Sequence, residues 1–102
     1  MSETQLVVLL IGYVTTVVGP LVNPADLPSV RCVEVTASRP GGVVLHLTAN
    51  PAAVPLLLGR RGANADALRR LTTARARAAG HRGPVDVQVG DSGEIRRRAA
   101  SS

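Results

Sequence analysis

An α+β fold, a three-stranded mixed sheet with its helices packed on one face, is what the order of segments along this chain predicts. Three observations carry the expectation. Short runs rich in Val and Thr alternate in polarity over Val30 to Ala37, Val43 to Thr48 and Val85 to Val89, the period of strands with one buried face. Two longer segments, residues 4–22 and 63–79, read as helices, by their length and helix-forming composition. Between the second and third strands lies enough chain for two helices, and a crossover of that length joins parallel neighbours with a right-handed connection.

The first segment carries no charge from residue 4 to residue 22. On a helix, Leu6, Leu9, Leu10, Tyr13, Val14 and Val17 form one apolar stripe, while Val7, Val8, Ile11 and Val18 make the opposite side apolar too. A helix apolar all round is normally covered on every side. The expectation is a buried helix whose second face, at Val7, Val8 and Ile11, meets a partner subunit. Its length would also suffice for a membrane span. Gly12, Thr15, Thr16, Gly19 and Pro20 interrupt it, however, and only Glu3 precedes it as a charge, which disfavours both a membrane anchor and a secretory leader.

Asn23-Pro24 and Leu27-Pro28 mark a turn-rich connection to the first strand, since both dipeptides restrict the chain to turn conformations. Arg39-Pro40-Gly41-Gly42 is a hairpin signal between the first two strands. Asn50-Pro51 opens a short helix, with Asn as cap and Pro in the first turn; it runs to about Leu58 and stops at Gly59. The longer helix, Ala63 to Ala79, ends with Gly80 in the position that favours a left-handed residue. The tail from Asp91 to Ser102, with Arg96-Arg97-Arg98 among small residues, is expected to be disordered. Residues 1–90 then form a single domain.

Composition narrows the function. The core must be aliphatic, because Phe and Trp are absent and Tyr13 is the sole aromatic residue. That excludes modules that stack bases on exposed rings. Every one of the 12 basic residues is arginine, the net charge is +5, and seven arginines fall between residues 60 and 82, where Asp66 is the only acid. Such a concentration suits a polyanion, since the guanidinium fork matches phosphate; a solvated helix face is the plainer reading. Cys32 is alone and sits in a Val-rich strand, as a small buried hydrophobe in a reducing, cytoplasmic setting would. His46 and His81 are isolated, and no nucleophile or paired-carboxylate pattern occurs. No enzymatic activity, cofactor or metal is expected.

One stretch is far more specific: Leu57-Leu58-Gly59-Arg60-Arg61-Gly62-Ala63-Asn64-Ala65. Its glycines permit positive φ and close backbone approach, and Gly62 stands at the start of a helix, whose free N–H groups and dipole attract anions. The Lys-Ser/Thr that a nucleotide-hydrolysing P-loop needs after the glycine is missing. The spacing resembles the GxxG loop of KH domains, which clamps about four nucleotides. Leu57 to Leu71, the strand Val85 to Val89 and the turn Leu21 to Asp26 are similar to those of the small bacterial single-KH RNA-binding proteins, KH-domain protein A, which have the type II KH fold.

That resemblance covers roughly residues 5–90 and implies an α-β-β-α-α-β domain that holds single-stranded RNA, or single-stranded DNA by the same chemistry. It implies that Gly59 and Gly62 admit the backbone and that Arg60 and Arg61 contact phosphates. Leu58 and Ala65 would line an apolar groove, Ala63 and Asn64 begin the second central helix, and Arg69 matches the family's arginine. Asp66 departs from the family's usual basic residue and reads instead as a first-turn helix acid. The implied role is that of an RNA chaperone or post-transcriptional regulator, acting as a homodimer or beside another RNA-binding protein. The rivals are an assembly module with vestigial binding and a small membrane-associated protein.

Overall fold

The central strand of the sheet, β2 (Val43–Ala49), pairs antiparallel with β1 (Arg31–Val35) and parallel with β3 (Val85–Asp91) in the computed structural model, which describes residues 2–37 and 39–91. Cys32 lies opposite Leu47, and Val43, Leu45 and Leu47 lie beside Val85, Val87 and Val89. The helices are α1 (Glu3–Val18), α2 (Val54–Leu58) and α3 (Ala63–Ala78). The fold is α+β with a mixed open sheet, in the predicted order of elements. Strict alternation in β2 explains why this strand is central: Val43, Leu45, Leu47 and Ala49 are buried, with Val44, His46 and Thr48 on the other face. In the hairpin, Gly42 N–H donates to Arg39 O (3.1 Å) and Gly41 takes a φ of +74°, as a type II turn with Pro at its second position requires.

A capping box that the sequence reading overlooked starts α1. Gln5 N–H donates to Ser2 Oγ (3.1 Å) and Ser2 N–H to Gln5 Oε1 (2.9 Å), pairing two otherwise orphaned donors. The helix buries Leu6, Val7, Leu10, Val14 and Val18 against the sheet and α3. Here the expected partner face needs correction. Val7 falls on the same helical stripe as Leu10, Val14 and Val18 and is a core residue, while Ile11 is half-buried against that core. Only Val8, 66% exposed, points fully outward. Its neighbours there include Gly12, Thr15 and Thr16, and both threonine hydroxyls donate to carbonyls one turn back. Residues Glu3–Leu21 are long and apolar enough to cross a membrane, but the inner side of this helix is a wall of the core.

Asn50 is a second correction. Its side-chain amide donates to Asp26 Oδ1 (3.4 Å) rather than capping, and α2 begins at Val54 without a side-chain cap. The backbone still turns at Asn50, whose carbonyl accepts from Ala53 and Val54 N–H. At its far end α3 closes as expected: Gly80 N–H donates to Arg77 O and His81 N–H to Ala76 O (both 3.0 Å), the paired bonds of a Schellman motif. Arg77 Nη1 reinforces it by donating to the carbonyls of His81 (3.1 Å) and Gly83 (2.8 Å). Cys32 packs partly against the core, and that burial pushes its thiol up to about 11. The tail from residue 92 onward, Arg96 to Arg98 included, lies outside the described residues.

Candidate nucleic-acid interface

Between α2 and α3 the chain reverses in four residues, and the backbone of those residues is unusual. Gly59 has φ +73° and ψ 178°, a region essentially closed to residues with a side chain. Arg61 (φ 56°, ψ 28°) and Gly62 (φ 75°, ψ 15°) are both left-handed. Gly62 N–H donates back to Gly59 O (3.2 Å), which closes the turn. A Cβ on Gly59 would lie 2.6 to 2.9 Å from three atoms of Asn64, whereas one on Gly62 would meet nothing within 4 Å.

Asn64 gives that crowding its reason. Its Nδ2 donates to Leu56 O (2.9 Å), satisfying one of the carbonyls left open at the end of α2. The residue expected to greet a nucleotide therefore fastens the two helices together, and Gly59 is the glycine that makes room for it. Gly62, as N-cap of α3, offers no side chain to the first-turn N–H groups, so those donors and the positive helix end face the loop.

Arg60 and Arg61 are exposed at the tip. Both ion pairs among the described residues belong to Arg69 instead. Its Nε donates to Asp86 Oδ1 and its Nη1 to Asp66 Oδ1, each at 2.8 Å, with a longer contact from Nη2 to Val87 O (3.4 Å). Arg69 is thus engaged on every nitrogen and ties α3 to the free edge of β3, which corrects its expected role as a phosphate contact. Asp66 is a partner in that bridge rather than a cap. Ala65, only 6% exposed, belongs to the core and does not line a groove; Leu58 is half-buried at the rim, and Ala63 is exposed beside the loop. The chain separation of Arg69 and Asp86 hid their pairing from a local reading, since only the placement of β3 beside α3 brings them together.

The arrangement can bind an anion at one place: a tip with two uncompensated guanidinium groups, left-handed backbone and open helix amides. Among the described residues, no cluster of three or more His, Cys, Asp or Glu could hold a metal. No family model, curated protein or solved structure matches this chain.

Proposed function

We propose that this protein is a non-enzymatic binder of single-stranded RNA, with a type II KH-like fold, and that its Gly59–Gly62 loop holds the phosphate backbone. The observation that supports this reading is the loop itself: three residues at positive φ, among them Arg61, present two exposed arginines and the uncapped start of a 16-residue helix on one side. Each of these features favours the same ligand charge. In the cytoplasm such a protein would act as an RNA chaperone or post-transcriptional regulator. One module of this kind grips few nucleotides, so a second copy or another RNA-binding protein on the same strand would raise affinity through avidity. With Val7 in the core, α1 offers little area for that partner, and shared RNA is the better link.

Replacing Arg60 and Arg61 together with Asp tests the reading. Affinity for a fluorescent single-stranded RNA should fall on the order of a hundredfold at low salt, with a circular dichroism spectrum like that of the parent, because two attractive charges become repulsive at an exposed tip. For the parent, log K should fall against log salt with a slope near −2, as about three neutralised phosphates would give. An unchanged affinity in a folded variant overturns the proposal. Single-stranded DNA, run in parallel, reports whether the sugar matters.

A further inference from the structure

We infer that a bound strand leaves the glycine loop along the outer ridge of α3, held by Arg70 and Arg77, and not across the seam between α3 and β3. This rests on the nucleic-acid reading above and extends it to the path and length of the ligand. The seam carries two carboxylates, Asp66 and Asp86, against the single guanidinium of Arg69, so its balance is one negative charge. A phosphodiester chain is repelled there.

The outer ridge has the opposite character. Arg70 and Arg77 are seven residues apart and both exposed, which places them within about 20° of each other on one helical face. Arg77 is steadied by the two carbonyls it caps, and this leaves its charge intact. Ala63, Ala67, Ala74 and Ala78 are exposed around them, so the side chains there are too small to keep a strand at a distance. From Gly62 to Arg77 the helix rises about 22 Å. A strand stacked as in a duplex has a phosphate about every 3.4 Å along its axis, so about six phosphates span that ridge. Added to the four or so nucleotides of the loop, the footprint becomes about ten. Contacts along the ridge reach phosphates alone and carry no base preference.

The test measures anisotropy of the full chain with labelled mixed-sequence RNA of 4, 6, 8, 10, 12 and 14 nucleotides, and with DNA of the same lengths. Affinity should climb to about ten nucleotides and then level. Arg70→Glu should lower affinity for the 12-mer about tenfold and leave the 4-mer within twofold, whereas Arg39→Glu, the same charge change on the β1–β2 hairpin, should affect the 12-mer far less. Equal affinity of the parent for 4-mer and 12-mer overturns the inference while leaving the loop reading intact. So does an equal effect of the Arg70 and Arg39 variants, which would indicate bulk charge. If polyglutamate of matched charge displaces the 12-mer as well as RNA does, the ridge serves an acidic protein instead. Failure of every oligonucleotide to bind removes the proposed function along with the inference.

Discussion

Arg60–Arg61 and Arg69 lie within ten residues of one another, and they are put to opposite uses. At the loop tip two guanidinium groups stand exposed on strained backbone. Two turns into α3 a third is held by two carboxylates and a strand carbonyl. The difference teaches that a count of arginines overstates the charge available to a ligand. What decides availability is which acids the fold brings alongside, and here β3 brings Asp86. The strain sits at the tip and the ion pairs at the seam, so the two regions respond differently to substitution.

The largest effect is expected at the base of the loop. Gly59→Ala forces a side chain into a glycine-only conformation and against Asn64, at a cost on the order of 3 kcal/mol. Gly62→Ala meets open space and carries only the left-handed penalty, about 1 kcal/mol. Urea unfolding followed by circular dichroism measures both. Equal losses at the two glycines would mean that the close approach of Asn64 does not constrain Gly59.

A smaller effect separates the seam from the tip. Arg69→Gln combined with Asp86→Asn removes the bridge at constant net charge and keeps an acceptor for Val87 N–H, which now donates to Asp86 Oδ1 (2.9 Å). Both side chains are 42% exposed, so stability should fall by less than about 1 kcal/mol. RNA affinity should stay within about twofold, against the roughly hundredfold loss of the tip reversal, since no phosphate contact is removed. A tenfold loss would show that Arg69 lets go of Asp86 and reaches the strand.

The fold was legible because its punctuation is local. Pro40-Gly41, Gly59 and Gly80 each end an element through their own backbone preferences, and β2 alternates without error. The facing of α1 was not legible, because an all-apolar helix gives no internal signal for which side is buried; Val7 joined the core and Val8 did not. The loop was legible from its glycines, but the tasks of its neighbours were not. Asn64 acts on Leu56 across the turn, Arg69 on Asp86 across the crossover, and Asn50 on Asp26 across the β1–β2 hairpin. Each depends on elements meeting in space. Ser2 and Gln5 were the exception, a local capping pair present in the sequence and overlooked.

The smallest effect sharpens the comparison most finely, because it separates charge from strain within one residue. Arg61 is left-handed at φ 56°, which costs a residue with a Cβ roughly 1 to 2 kcal/mol. Arg61→Gly lifts that penalty but adds the entropy of glycine in the unfolded chain, about 0.5 to 1 kcal/mol, so net stability should change by less than about 1 kcal/mol. Arg61→Asn tolerates the same conformation without the glycine entropy and should be the most stable of the three. Binding should ignore that order. Both variants remove one charge from the tip, so both should weaken RNA binding alike and reduce the steepness of the salt slope by about 0.7, one phosphate for a single strand. If the Asn variant binds like the parent while the Gly variant does not, the left-handed backbone matters there more than the guanidinium, and Arg60 alone supplies the charge at the tip.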